Sequence, residues 1–222
     1  MDQHGHGQGH GQSQGHGHGG AHEHGPGHEW DDRYGEEPMW SGRPNEGLVR
    51  EVSGMPPGTV LDVGCGEGGD AVWLARQGWR VTGLDVSGRA LARAADAASA
   101  AGVSIEWRHH GLEDLPSGTA YDLVSVFYPA LLRGDGAVIA TLLGAVAPGG
   151  TLLAVHHAFV DRERAMEHGF DPDDYVGHDD LVAAVTRAGW AVEVVAEVGR
   201  AQVEGPGAHH HTDQVLRARR NG

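Results

Sequence analysis

The chain has 222 residues and a formal net charge of −15, from 16 basic and 31 acidic side chains. This length predicts one domain with a full core, and the acidic balance argues against a nucleic-acid partner, which needs a basic face. Cys65 is the only cysteine, which excludes an internal disulfide and a cysteine-ligated zinc cluster. No apolar run approaches the ~20 residues of a membrane span, and no signal peptide is recognisable, so we expect a soluble cytoplasmic protein.

Residues 1–28 are almost wholly Gly, His, Gln and Ser, and we expect this tail to be disordered because it cannot bury a core. The tail is either inert and solvated or a loose ligand for Ni²⁺, Cu²⁺ or Zn²⁺, since several imidazoles on a flexible chain can converge on one ion. The candidate metal ligands are His4, His6, His10, His16, His18, His22 and His24.

Residues 29–58 bring aromatic and charged side chains together, among them Tyr34 and Trp40. A lid over a ligand uses such residues, with rings as apolar walls and polar tips for orientation. A helix packed on the edge of a sheet is the alternative. Within this lid segment, residues 46–52 predict a short helix.

Residues 59–76 predict a buried strand, a glycine turn and a helix, which is the entrance of a doubly wound α/β domain. Gly64, Gly66 and Gly68 let a ligand approach the backbone, and the helix N-terminus supplies free N–H groups. Asp62 precedes this turn, and Glu67 stands where a pyrophosphate would be repelled. Together these carboxylates favour a ligand that carries an ammonium group.

The next predicted strand, residues 79–84, ends at Asp85. An acidic residue about 20 positions after such a glycine turn binds ribose hydroxyls in Rossmann-type sites, although a helix N-cap is the structural alternative. Residues 121–126 predict a further strand, after which Phe127 and Tyr128 lie where open α/β sheets bind ligands.

His156 and His157 directly follow a predicted strand at residues 151–155. One histidine of this pair could serve as a general base for a substrate thiol, hydroxyl or amine. The alternative is that both are structural histidines. A charged insertion, residues 158–176, comes next, and a final antiparallel strand is predicted at residues 211–219. The alternation of strands and helices predicts an α/β fold: a Rossmann-like, mostly parallel sheet with helices on both faces and one antiparallel strand.

The stretch from Thr59 to Asp70, together with Asp85 and the Pro148-Gly149-Gly150 turn, resembles the class I S-adenosylmethionine-dependent methyltransferases. The segment after Glu29 is similar to that of small bacterial members, including the tellurite-resistance and thiopurine-methylating types. The resemblance covers residues 29–222 and implies seven strands in the order 3-2-1-4-5-7-6.

The resemblance also implies S-adenosylmethionine as the cofactor, S-adenosylhomocysteine as the product, and a substrate pocket built by residues 158–176. The resemblance also implies that Asn45 belongs to the lid. The residues that it implies as cofactor-binding are Tyr34, Trp40, Asp62, Gly64, Cys65, Gly66, Gly68, Asp85, Val86, Gly111, Leu112 and Phe127. Tyr128, His156 and His157 are the candidate catalytic residues. Gly111 stands where many members carry an Asp that binds the adenine amino group, which leaves Glu113 and His110 as alternatives.

The expected reaction is therefore methyl transfer to a small thiol, hydroxyl, amine or metalloid oxyanion, by a monomer or homodimer. Three alternatives stay open: a metal-sequestering protein, a nucleotide-dependent oxidoreductase, and a methyltransferase acting on a macromolecule. The oxidoreductase fits poorly with Glu67, and metal sequestration leaves the α/β domain unexplained.

Overall fold

A computed structural model describes residues 26–158, 160–167, 170–200 and 211–222. Residues 1–25, which hold every candidate metal ligand of the tail, lie outside this part of the chain. The first described helix begins at Pro26, so the last three residues of the segment predicted to be disordered belong to a helix.

A seven-stranded sheet in the order β3-β2-β1-β4-β5-β7-β6 forms the centre of the molecule. The neighbours from β3 to β5 pair in parallel, and β7 is antiparallel to both β5 and β6. The predicted fold class and strand order are confirmed. The strands are β1 Thr59–Val63, β2 Arg80–Asp85, β3 Glu106–His109, β4 Tyr121–Phe127, β5 Val146–His157, β6 Ala191–Gly199 and β7 Thr212–Arg219.

Helices lie on both faces of the sheet, and two short 3₁₀ turns, Leu112–Asp114 and Pro172–Asp174, interrupt the loops. The helices are α1 Pro26–Tyr34, α2 Glu46–Val52, α3 Gly69–Arg76, α4 Gly88–Ala101, α5 Ala137–Gly144, α6 Arg162–Glu167 and α7 His178–Arg187.

Alternate residues of the inner strands enter two apolar cores because successive strand side chains point to opposite faces. Leu152 and Ala154 of β5 belong to the core that includes residues of α5 and α7. Leu153 and Val155 belong to the core that includes residues of α2 and α3. Since β5 continues through His157, the two histidines at its end also leave on opposite faces.

The Pro148-Gly149-Gly150 segment lies inside β5, whereas the sequence predicted a turn followed by a shorter strand that begins at residue 151. The pairing register with β4 shifts between Tyr121 and Leu123, beside this segment. A Cβ on Gly150 would lie 2.9 Å from the Tyr121 carbonyl oxygen, so a side chain there would collide with the neighbouring backbone.

No described helix is long and apolar enough to cross a membrane.

Gly68 and Gly102 offer a matched test of packing, because both have a positive φ, +80° and +68°. A Cβ on Gly68 would lie 2.8 Å from the Ala94 Cβ and 3.1 Å from the Trp107 ring, while nothing lies within 4 Å at Gly102. We expect Gly102→Ala to cost about 1–2 kcal/mol of unfolding free energy from backbone strain. Gly68→Ala should cost roughly 1–3 kcal/mol more from overpacking, measured by urea denaturation. Equal losses would show that the close approach at Gly68 is not a constraint.

Candidate functional site

Four strands end at one edge of the sheet, where the predicted site residues collect. β1 leads into the glycine turn, β2 ends at Asp85, β4 ends at Phe127 and β5 ends at His157. The carboxyl ends of parallel strands form the ligand crevice of open α/β sheets. The crevice here is defined as this edge together with the segment 29–45 that covers the glycine turn.

The glycine turn is held against the end of β2 by backbone hydrogen bonds. The amides of Gly64 and Cys65 both donate to the Leu84 carbonyl, at 2.8 and 3.0 Å. Gly64, Gly66 and Gly68 all have a positive φ, which glycine adopts without steric cost. Burial, followed by the charge of Asp62, raises the pKa of the Cys65 thiol, which keeps it protonated and unreactive.

Asp62 is a buried carboxylate whose hydrogen bonds are only partly made. Its Oδ1 accepts a hydrogen bond of 2.9 Å from Ser125 Oγ, while Oδ2 is buried without a partner among the described residues. Burial, and next the charge of Asp70, raises the pKa of Asp62 to about 8. A buried acceptor without a donor is costly, so this oxygen is suited to a cationic or hydrogen-bonding ligand.

Asp70 and Asp85 add two further buried carboxylates beside Asp62. Asp70 accepts hydrogen bonds from the Asn45 amide nitrogen (2.6 Å) and from Asn45 Nδ2 (2.8 Å). Asp85 accepts from the amides of Gly66 (2.8 Å) and Ser87 (2.9 Å). Burial raises the pKa of both carboxyl groups.

Tyr34 and Trp40 lie directly over the glycine turn, as expected of a lid. A Cβ placed on Gly66 would be 2.8 Å from the Tyr34 hydroxyl and 3.7 Å from Trp40 Nε1. Tyr34 is buried although it belongs to a short, polar helix, whereas Trp40 is 47% exposed. The structure therefore brings Tyr34, Trp40 and Gly66 together at one point.

Glu67 does not face a ligand, which corrects the sequence interpretation of its charge. Its two carboxylate oxygens accept hydrogen bonds from the backbone amides of Met39 (3.0 Å) and Trp40 (2.9 Å). Arg93 Nη1 pairs with the same carboxylate at 2.7 Å. Glu67 is thus neutralised by Arg93 and fastens the lid segment to the glycine turn, so its charge is not evidence for an ammonium ligand.

Arg93 and Asp31 form further hydrogen bonds that connect the lid segment to α4. Arg93 also donates to the carbonyl oxygens of Tyr34, Gly35 and Glu37, at 2.7 to 3.0 Å. Asp31 accepts from Ser87 Oγ at 2.6 Å, at the N-terminus of α4. Asn45, which the resemblance placed in the lid, connects the lid segment to α3 through its two hydrogen bonds to Asp70.

The expected adenine side of the crevice lies between the ends of β2 and β3. His109 Nε2 donates to the Val86 carbonyl at 3.0 Å. Leu112 is buried in the core, so only its backbone is available to a ligand. The Glu113 carboxylate folds over Gly111 and fills the space that a Cβ on Gly111 would occupy, while His110 Nδ1 bonds the Gly111 carbonyl at 2.8 Å.

Tyr128 has a φ of +48°, the one positive value among the described non-glycine residues. Its amide donates to the Val155 carbonyl at 2.8 Å, and its ring stands edge-on to Phe127 at 6.3 Å. Strained backbone of this kind is concentrated at functional sites. Burial, and next the charge and hydrogen bond of Asp213, raise the pKa of Tyr128.

His156 turns away from Tyr128 and packs against Val176, the last residue of the insertion, and against His178. Its Nε2 donates to the Val176 carbonyl at 3.3 Å, and its ring lies 6.1 Å from that of His178. Burial, and next the charge of His178, lowers the pKa of His156 to about 4, so it is neutral near pH 7.

His157 faces Tyr128, and here the structure adds two residues that sequence reasoning missed. The rings of His157 and Tyr128 stack at 4.2 Å. Asp213 of β7 lies directly opposite His157 in the sheet, and Arg200 follows the end of β6. Cross-strand register cannot be deduced from local patterns, so no sequence signal joined these residues to His157.

Two cavities of the described structure lie elsewhere. One of about 390 Å³ is lined by residues that include Leu143, Trp190 and Arg220, and one of about 180 Å³ by residues that include Trp73 and Trp79. Neither contains a predicted site residue, so the crevice is defined by its polar groups rather than by an open volume. Within the described ranges no group of three or more His, Cys, Asp or Glu side chains could hold a metal ion.

Residues 60–150 match a family model described as a methyltransferase domain. Among curated proteins, the chain is 37% identical over 94 residues to a ubiquinone biosynthesis O-methyltransferase of Rhizobium leguminosarum bv. trifolii, covering 42% of this chain and 33% of that protein. It is 34% identical over 98 residues to the tRNA 5-carboxymethoxyuridine methyltransferase of Escherichia coli K12, covering 42% and 38%. The chain thus spans well under half the length of these relatives.

Solved structures resemble nearly the whole chain. One, from work on the conversion of a disulfide bond into a thioacetal group during echinomycin biosynthesis, is 28% identical with a TM-score of 0.68 and covers 88% of this chain and 93% of that one. The N-methyltransferase NodS of Bradyrhizobium japonicum WM9 with S-adenosylhomocysteine is 22% identical with a TM-score of 0.59, covering 86% and 91%. The matched domain and the fold support the resemblance to the class I S-adenosylmethionine-dependent methyltransferases that the motifs indicated.

The raised pKa of Asp62 predicts a stability difference that depends on pH. The folded protein keeps a proton on Asp62 up to about pH 8, whereas the unfolded chain releases it above pH ~4. The free energy by which this proton stabilises the folded state is therefore complete below pH ~4 and is lost as the pH rises through about 8. Asp62→Asn cannot ionise. Relative to the wild type without cofactor, its unfolding free energy should therefore rise by roughly 1–3 kcal/mol between pH 5 and pH 8.

Asp122→Asn is the matched control for this measurement. Hydrogen bonds from Thr59 lower the pKa of Asp122, at the opposite edge of the sheet, so its ionisation does not change between pH 5 and 8. Urea denaturation of the three proteins at both pH values makes the comparison. A constant difference between Asp62→Asn and the wild type would contradict the assignment of a raised pKa.

Proposed function

We propose that this methyltransferase binds S-adenosylmethionine in the crevice and transfers its methyl group to a small molecule. The observation that carries the proposal is the convergence of Asp62, Asp70 and Asp85, three buried carboxylates, beside the glycine turn. The cofactor supplies an electrophilic methyl group on a positively charged sulfonium and also carries an ammonium group. Its positive charge complements the carboxylates, and Asp62 Oδ2 has no other donor in the described structure.

Three parts of the crevice take separate portions of the cofactor in this proposal. Asp62 binds the ammonium end, Asp85 binds the ribose hydroxyls, and Tyr34 and Trp40 close over the glycine turn. Each Asp85 oxygen already accepts one backbone amide, which fixes the orientation of the carboxylate and leaves a lone pair on each oxygen for a hydroxyl.

Glu113 is the proposed reader of the adenine amino group. Its carboxylate fills the space beside Gly111, where the family's aspartate side chain would begin. His110 is less suited, because its Nδ1 is already used by the Gly111 carbonyl. A carboxylate accepts hydrogen bonds only, which matches the donor character of an amino group.

A small acceptor is supported by the net charge of −15 and by the lid. Nucleic-acid binding depends on basic side chains that neutralise phosphates. The curated relatives act on unlike acceptors, so the acceptor of this chain is inferred from its own residues. The tail at residues 1–25 is proposed as a separate metal ligand, with no part in methyl transfer.

Calorimetry of S-adenosylhomocysteine tests the cofactor proposal. We expect binding of S-adenosylhomocysteine and no measurable heat with NAD. Asp85→Asn and Glu113→Gln should each weaken binding by roughly 1–3 kcal/mol, because each leaves a polar group of the ligand poorly matched. Asp122→Asn is the control, since it removes a carboxylate at the opposite sheet edge, and it should leave affinity unchanged. Unchanged affinity in Asp85→Asn would refute the ribose assignment.

His156 and His157 should differ in their effects on turnover. We expect His157→Ala to lower turnover on an acceptor with a neutral nucleophile by ~10²-fold or more, the usual contribution of a positioned base. His156→Ala should retain turnover but lose roughly 1–3 kcal/mol of unfolding free energy, since it removes a buried ring and its bond to Val176. Full turnover in both variants would show that alignment alone is sufficient, as for an anionic acceptor.

A further inference from the structure

Asp213, Tyr128 and Arg200 surround His157 at the end of β5, and each comes from a different strand end. Asp213 is the cross-strand neighbour of His157, with its Oδ1 3.6 Å from His157 Nδ1. Tyr128 follows β4, and Arg200 is anchored after β6 by its amide, which donates to the His211 carbonyl at 2.9 Å. This position lies at the same sheet edge as the carboxylates of the crevice, because β4, which precedes Tyr128, pairs with β1.

The two oxygens of Asp213 are used differently. Oδ2 accepts a hydrogen bond of 2.8 Å from the Tyr128 hydroxyl and lies 3.5 Å from Arg200 Nε. Oδ1 is buried and makes no hydrogen bond within the described structure, and His157 Nδ1 lies within ion-pair range of it. A small rotation would convert this contact into a hydrogen bond, and such bonds are often long before the substrate binds.

Tyr128 and Arg200 hold both partners in place. The Tyr128 ring stacks on His157 at an interplanar angle of 19°, which fixes the plane of the imidazole. The Arg200 guanidinium lies 5.2 Å from the centre of the Tyr128 ring, a cation–π contact. Arg200 Nε, 3.5 Å from Asp213 Oδ2, compensates the charge of this buried carboxylate.

We propose that Asp213 is a positioning residue that keeps the proton of His157 on Nδ1, so that Nε2 is the general base for an acceptor that arrives protonated. This inference rests on the proposed methyl transfer and names its substrate class: small neutral alcohols, phenols or thiols, rather than preformed anions. A carboxylate that fixes the tautomer of a catalytic histidine is a recurrent arrangement in enzymes.

His157 Nε2 takes the proton of the acceptor O–H or S–H while the acceptor atom forms its bond to the methyl carbon. The methyl–sulfur bond breaks and its electron pair stays on sulfur, which becomes a neutral thioether. The resulting imidazolium is stabilised by Asp213 and then loses its proton to water.

The histidine tautomer gives a test that needs no acceptor. Nitrogen-15 NMR of labelled protein, with the His157 signals assigned from His157→Gln, should find the proton on Nδ1 at pH 8. In Asp213→Asn the Nε2–H form should increase, because the side-chain amide can donate to Nδ1. The titratable and charged groups around the ring are Asp213, Tyr128, Arg200 and His156. A proton on Nε2 in the wild type would overturn the proposal.

Matched acceptors test the chemistry. Phenol is paired with pentachlorophenol, and benzylthiol with pentafluorothiophenol, the second member of each pair being ionised at pH 7. Asp213→Asn should lower kcat for the protonated members by ~10²-fold or more with little change in KM, while the ionised members are methylated at the wild-type rate. Equal losses in both classes, or methylation of the ionised members alone by the wild type, would overturn the proposal.

Two controls separate this inference from the proposed function and from misfolding. Glu197→Gln removes a carboxylate of β6 that contacts Gln214 rather than His157, and it should leave both rates unchanged. Tyr128→Phe, which removes the hydroxyl bonded to Asp213, should reproduce a weaker form of the Asp213→Asn effect if the latter variant fails to fold. Wild-type protein that binds no S-adenosylhomocysteine, or that binds it and methylates no acceptor, counts against the proposed function, and the NMR result still decides the tautomer.

Discussion

Negative charge buried at one edge of a parallel sheet is the constraint on which the rest of this site depends. Asp62, Asp70 and Asp85 lie together where burial opposes their ionisation. Hydrogen bonds from Asn45, Ser125 and two backbone amides stabilise them only in part. Under the proposed function, the positive charge of the cofactor would supply the missing compensation, so the cost of burying these carboxylates would also favour a cationic ligand.

The lid segment is organised by a second, fully compensated set of charges. Glu67 and Arg93 neutralise each other, and between them they bind five backbone groups of residues 34–40. This explains how a segment too polar to form a core of its own lies in a defined place over the glycine turn. Under the proposed function, a cofactor bound beneath Tyr34 and Trp40 would meet a preformed cover, so less conformational entropy would be lost on binding.

The crevice has two halves because different strands of the sheet end in each of them. Its half at β1 and β2 carries the carboxylates that suit the cofactor, and its half at β4, β5 and β7 carries Tyr128, His157 and Asp213. The antiparallel β7 matters for this arrangement, because its N-terminal end, and with it Asp213, lies beside the C-terminal end of β5. A parallel strand in that position would place its own C-terminal residues there instead.

The sequence alone determined the fold class, the strand order through its family resemblance, and the nomination of Asp62, Asp85 and the glycine turn. Those signals are local: an apolar run, a turn that only glycine tolerates, and an acidic residue at a fixed spacing. The sequence did not predict the role of Glu67, whose partner Arg93 lies 26 residues away. It also did not reveal Asp213, which is 56 positions from His157 in the chain. Only the tertiary structure decided which carboxylates are neutralised and which histidine faces the crevice, because both depend on register and packing between distant segments.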